Sequence, residues 1–158
     1  TEGFAAVTFY VVVYVFTSLG AFAVIASLAD GRGEPMTFDQ WRGLGYRHPV
    51  RCGVLVLLLL SLAGLPATAG FMAKFAVFHA ALQAGDIGLL LIGILASVIS
   101  FAFYLRVTML LFQHDEQACR WHQGSVFEHT VLAVCATAVL VLGLFPGLLF
   151  DLIRQILP

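Results

Sequence analysis

Charge is scarce in this sequence. Charged residues make up 11% of its 158 positions, the net charge is −1, and Lys74 is the only lysine. Hydrophobic residues reach 61%, with a mean hydropathy of +0.98. These values exclude an ordinary soluble domain and place the chain among multispan membrane proteins. No basic tract is present, so nothing marks a nucleic-acid partner. Cysteine is also sparse: Cys52, Cys119 and Cys135 stand far apart, without CxxC spacing, and read as small apolar residues. GxGxxG, Walker, HExxH and GxSxG motifs are absent, so no nucleotide, haem, iron–sulfur or zinc site is expected in the chain itself. Any redox chemistry must lie in partners. A basic leader with a cleavage motif is missing too, so no signal peptide is expected. The chain starts at Thr1 rather than a methionine, which hints at a fragment or a processed product.

What is abundant is apolar length. Four hydrophobic segments run from about Phe4 to Leu28, Cys52 to Leu82, Ile87 to Phe112 and Thr130 to Ile153. A spanning helix needs roughly 20 apolar residues at about 1.5 Å each. The first, third and fourth segments each fit one crossing. The second is longer than one straight crossing needs, and Gly64, Pro66 and Gly70 divide it. Each half alone is too short to cross, so the pair reads as one discontinuous span. The expected fold is therefore an all-α membrane protein forming a single domain over 1–158. It has four transmembrane helices, the second broken around Gly64–Gly70.

Polar residues collect between the spans. The segment Asp30–Arg51 is rich in glycine, proline and charge. Within it Phe38, Trp41, Leu44 and Tyr46 suggest a short amphipathic surface helix, with Trp41 and Tyr46 at the interface. Gln113–His129 forms a second polar loop. Every arginine except Arg154 lies in or beside these two loops. The positive-inside rule then puts loops 29–51 and 113–129 in the cytoplasm and both termini outside.

Lys74 carries the strongest functional signal. An ionisable group at the bilayer centre costs about 2.5 to 17 kcal/mol, so such residues usually face protein or a water-filled path. A break in a membrane helix leaves backbone groups unpaired, which is tolerated where they line a cavity or are buried in protein. Burial favours the neutral amine, and a nearby carboxylate or water favours the charged one. A lysine balanced this way can take up and release a proton. The bland alternative is a snorkelling side chain, which the apolar residues on both sides weaken.

Other polar residues say less. His79 lies five positions on, off the i+3 and i+4 face of Lys74, and is either a lesser relay candidate or an interhelical hydrogen-bonding residue. Thr68 is placed to hold a water or to cap the second half-helix. Arg106, ending the third span, reads as a headgroup anchor. Asp151 and Arg154, at i and i+3, read as a surface pair. Thr17, Ser18, Ser97 and Ser100 are small polar residues that let helices approach.

The run LLSLAGLPATAGFMAKFAVF from Leu59 to Phe78 closely resembles subunit N of bacterial NADH–quinone oxidoreductase, within the antiporter-like membrane subunits of respiratory complex I. FYVVVYVFTSLGAFAVI (Phe9–Ile25), GLGYRHPV (Gly43–Val50) and ASVISFAFYLRVTMLLF (Ala96–Phe112) are similar to the flanking parts of that family. The resemblance covers nearly the whole chain. It implies a C-terminal piece of a larger subunit with inverted repeats, containing the broken helix of the second repeat. Lys74 matches the central ionisable residue of a half-channel passing protons towards the outer side. The resemblance further implies proton translocation coupled to electron transfer from NADH to quinone in a bacterial inner membrane. NADH, FMN, iron–sulfur clusters and quinone would belong to the wider complex, and neighbouring antiporter-like subunits and the lipid bilayer would be its partners. The alternatives are a cation/proton antiporter subunit, which shares a looser version of the pattern, and a structural membrane-assembly protein.

Overall fold

The computed structural model describes residues 2–28, 41–113 and 126–156. Among these residues the regular elements are α-helices: α1 (Glu2–Leu28), α2 (Leu44–Arg47), α3 (Pro49–Ala63), α4 (Ala69–Gln83), α5 (Ile87–Leu111), α6 (Val126–Leu144) and α7 (Gly147–Ile156). The longest, α1, has no proline and is apolar on all sides, as a helix without a water-facing stripe must be. It is the hub, packing against α3, α4, α6 and α7. Phe9, Val13 and Val24 of α1 meet Leu55 and Leu58 of α3 and Val139 of α6 in the core. Close approach of α1 and α6 depends on Gly20. A Cβ there would lie 2.8 Å from Cβ of Cys135 and 3.0 Å from Cδ1 of Leu58.

Helix α5 packs on α3 and α4 along one side. Its start is capped by Asp86, whose carboxylate accepts from the Leu89 N–H at 3.1 Å. The opposite face, including Ile92, Leu95 and Ile99, is exposed.

Among the described residues, two helices are long and apolar enough to cross a membrane, over Gly3–Ser27 and Ile87–Leu111. Helices α3 and α4, with 15 residues each, fall short of a hydrocarbon core about 30 Å thick. The fourth expected crossing, over 130–153, is bent: α6 stops at Leu144 and the chain turns by 88° into α7. Pro146 stands at the corner, where its ring and missing N–H oppose a continuous helix. Phe150 of α7 then stacks on Phe9 of α1 with ring centroids 4.3 Å apart and 6° between planes, and Ile153 is buried. The exposed Asp151 leaves the apolar side of α7 free to lie across the bundle end. By length and hydropathy, the described residues therefore contain two spans, or three if the bent pair counts as one.

The expected surface helix is reduced to the four residues of α2. Leu44 is fully buried, Trp41 packs against the core, and Tyr46 meets Phe112 edge-on at 6.0 Å. Phe38 and the remaining loop residues at 29–40 and 114–125 lie outside the described residues.

Candidate functional site: a lysine at a helix break

The break is built by its own residues. Gly64 ends α3 with φ 90°, a left-handed conformation that glycine adopts without a Cβ penalty. The Leu65 N–H bonds to the Leu60 carbonyl at 3.0 Å, and the Gly64 N–H reaches the Ser61 carbonyl at 3.0 Å. This is the double-bonded glycine stop of helix C-termini. Pro66 follows, unable to continue a helix. Ala67 has φ 70°, the sole non-glycine with positive φ among the described residues. Left-handed backbone costs a residue with a Cβ about 1–2 kcal/mol. Ala67→Gly is therefore expected to raise stability by up to about 1 kcal/mol after its added chain entropy, read as thermal unfolding in detergent.

Helix α4 restarts at Ala69 with Thr68 at the N-cap position. The Thr68 hydroxyl does not cap it. It donates to the Leu65 carbonyl at 2.7 Å. The cap comes from the other side of the break: the Gly70 N–H donates to Ser61 Oγ at 3.1 Å, both groups buried. Ser61 thus satisfies one of the orphan donors that open a helix. Ser61→Ala removes the cap and strands that N–H, a loss of about 1–3 kcal/mol. It should appear as a lower unfolding temperature of the detergent-purified protein.

The reciprocal bond runs the other way. Lys74 Nζ, carried by α4, donates to the Ala63 carbonyl at 3.1 Å. That carbonyl belongs to the last turn of α3, whose final C=O groups lack intrahelical partners and carry the negative end of the helix dipole. A cation is therefore favoured there. Gly64 makes room for it, since a Cβ at that position would press to 3.2 Å from Lys74 Cδ. Gly143 of α6 braces the break from outside. A Cβ on it would meet the Ala67 carbonyl oxygen at 2.6 Å and the Ala69 nitrogen at 2.7 Å.

Lys74 faces a cavity of about 430 Å³ between α1, α3, α4 and α5. Thr17, Ser61, Ser97 and Ser100 line it with Lys74, as do the rings of Tyr10, Tyr14 and Tyr104. Of the four small polar residues expected to serve close packing, Thr17, Ser97 and Ser100 thus line this cavity and Ser18 does not. Thr17 and Ser100 also return hydrogen bonds to the Val13 carbonyl, at 2.6 Å, and to the Ala96 carbonyl, at 2.9 Å. The cavity can hold water, because it is roomy and offers several polar partners.

Residues 1–100 match the family model for the NADH:quinone oxidoreductase/Mrp antiporter transmembrane region. The chain belongs to this family. It is 43% identical to NADH-quinone oxidoreductase subunit N of Geotalea uraniireducens, over 99% of this chain and 34% of that relative. Subunit N of Rhodococcus opacus is 42% identical, over 97% of this chain and 29% of the relative. A solved structure, respiratory complex I from Thermus thermophilus with bound aureothin, superposes with a TM-score of 0.81 at 29% identity, over 93% of this chain and 34% of the matched one. The chain thus spans about a third of the length of these family members.

The structure separates the residues singled out in the sequence. Gly64, Pro66, Gly70 and Lys74 come together at the break. His79 does not join them: it is exposed and stacks on Phe75 at 6.2 Å, outside the cavity lining. Arg106 lines a different cavity with Arg42 near the end of α5. Asp151 is exposed on α7. Three residues of the site gave no local signal in the sequence. Ser61 acts on Gly70 across the break, Ala67 is strained without being glycine, and Gly143 approaches from another helix.

Proposed function

We propose that this chain is part of a proton-translocating membrane subunit of NADH:quinone oxidoreductase, with Lys74 taking up and releasing the proton. One observation carries the reading: a lone ammonium bonded to a carbonyl in the last turn before a helix break, facing a cavity lined in part by hydroxyls. The end of α3 stabilises the charged amine, while the apolar surroundings oppose it. A group held between these effects can change charge when charges nearby change. Backbone exposed by a broken membrane helix beside an ion site is a general transporter device.

In this reading α3 and α4 form one discontinuous crossing, giving four spans with α1, α5 and α6. The chain is a C-terminal part of the subunit in a bacterial inner membrane. Its long loops are cytoplasmic, and its outer faces pack on the remaining helices and on a neighbouring antiporter-like subunit. NADH, FMN, iron–sulfur clusters and quinone are held elsewhere in the assembly. His79 is assigned no step. A second reading, a cation/proton antiporter subunit, draws support from the family description, which covers both kinds of protein.

The test is made in the full-length subunit within its complex, comparing Lys74→Ala with Lys74→Arg. NADH-driven quinone reduction and proton uptake are followed in inverted membrane vesicles. Loss of both in the assembled alanine variant, with arginine partly active, supports the reading. Unchanged reduction and uptake overturn it in favour of a structural role. Normal NADH-driven activity with impaired cation/proton exchange favours the antiporter.

A further inference from the structure

A cavity of about 390 Å³ lies at the end of α5 that leads to residues 114–125. Arg42 and Arg106 both line it, Leu105 and Met109 form part of its apolar wall, and no carboxylate lines it among the described residues. The two arginines come from separate elements whose backbones are held together. Trp41 packs against the core and Leu44 is fully buried, so the turn that carries Arg42 is fixed on both sides. That turn leads straight into α2, which is seated on the end of α5. A Cβ on Gly45 would lie 2.6 Å from Phe112 Cε1 and 2.9 Å from the Leu111 carbonyl oxygen, so the two backbones approach closely. Tyr46 adds its edge-on contact with Phe112. Arg106 is placed by α5 itself. From Ile87 to Arg106 the helix rises roughly 28 Å, at about 1.5 Å per residue. That rise is close to the roughly 30 Å thickness of a hydrocarbon core. With Asp86 and Ile87 at one membrane boundary, Arg106 therefore stands at the headgroup level of the other.

We propose that Arg42 and Arg106 form a binding site for one anionic phospholipid, its phosphate held by both guanidiniums and an acyl chain laid along α5. The inference draws on the membrane placement of α5 and is independent of the proton role of Lys74. Guanidinium groups match phosphate geometry with paired N–H donors, and basic pockets beside membrane helices take anionic headgroups. A lone arginine at a span end accepts any lipid phosphate. Two arginines on one cavity, with no carboxylate beside them among the described residues, favour a headgroup of net negative charge. A zwitterionic headgroup brings its own cation, which the pair repels. The surface below the arginines fits the rest of the lipid. Leu95, Ile99 and Ala102 precede Arg106 at helical spacing, on the same face, and all three are exposed. An acyl chain covers that apolar stripe, and a soluble anion does not.

The experiment uses the intact complex, with its full-length subunit, in phosphatidylcholine liposomes. A trace of phosphatidylglycerol or of phosphatidylcholine, each with the same photoreactive group on its acyl chain, is added in parallel samples. After illumination, the label on residues 96–109 is measured by mass spectrometry. Phosphatidylglycerol should label this segment at least fivefold more than phosphatidylcholine, and excess unlabelled phosphatidylglycerol should remove the difference. Arg42→Gln and Arg106→Gln should each cut the preference at least threefold, and Arg106→Lys should keep part of it. Assembly of each variant is read on native gels. Where Arg106→Gln does not assemble, Arg42→Gln, outside the spans, decides. Equal labelling by the two lipids in the wild type overturns the site in favour of an ordinary lipid-facing helix. Absence of label from the segment overturns it in favour of a protein surface that covers the arginines. Loss of the preference on adding inorganic phosphate overturns the lipid in favour of a free anion. An assembled Arg42→Gln variant with unchanged preference overturns the pair and leaves Arg106 as a lone anchor.

Discussion

Gly70→Ala is expected to leave almost no assembled subunit in the membrane. Gly70 sits in the first turn of α4, buried against α3. A Cβ there would fall on the Ser61 carbonyl oxygen, 2.7 Å from the Ser61 carbonyl carbon and 3.0 Å from its Oγ. Two of these atoms are backbone, so no side-chain rotation relieves the clash. Moving α4 away breaks the Gly70-to-Ser61 cap at 3.1 Å and draws Lys74 from the Ala63 carbonyl. Overpacking alone costs about 1–3 kcal/mol and sometimes more, and the lost cap adds about 1 kcal/mol. Against a typical stability of about 5–15 kcal/mol, that loss is severe. The measurement is the amount of subunit in native gels of membranes. Gly53→Ala in α3 is the control, since nothing lies within 4 Å of a Cβ there. Alanine should be tolerated at that helix-interior position, or should stabilise it by about 0.5–1 kcal/mol. Normal assembly of Gly70→Ala would mean that α3 and α4 are not in contact as described.

Lys74→Ala should lower NADH-driven proton uptake at least tenfold in the assembled complex. Alanine carries no titratable group, and no second lysine exists in the chain to substitute. The Ala63 carbonyl also loses its donor, a cost of about 1–3 kcal/mol, so assembly must be measured beside activity. Arginine restores the charge and a donor for that carbonyl but releases its proton far less readily. Lys74→Arg should therefore assemble like the wild type and pump more slowly. This pattern separates a proton carrier from a purely structural cation, for which arginine would suffice.

Much of this site was legible in the sequence because membranes make charge conspicuous. A single lysine in an apolar run, with Gly64, Pro66 and Gly70 beside it, announces both an ionisable group and the end of a helix. The offset of His79 from Lys74 already placed the two on different helix faces, and the structure turns His79 outwards. The spans α1 and α5 followed from apolar length alone. The 88° corner before α7 did not, because a hydropathy pattern does not register direction and Pro146 reads equally as a kink or a stop. Ser61 was hidden because its partner lies nine residues away, beyond the end of its own helix. Helix periodicity relates residues within one element and is silent across a break. Ala67 was hidden for a different reason: its φ of 70° is imposed by the surroundings, not by its own preference.

The linker between Ala63 and Ala69 also fixes a phase. A residue added to or removed from it, where the change is taken up as a shift in the register of α4, would turn the α4 side chains by roughly 100° about its axis. One such step would swing the ammonium out of the cavity, although every residue that makes up the site would still be present. The count of residues between the half-helices is thus as much a determinant of the site as their identity, and insertions or deletions there should be far less forgiving than substitutions at Leu65.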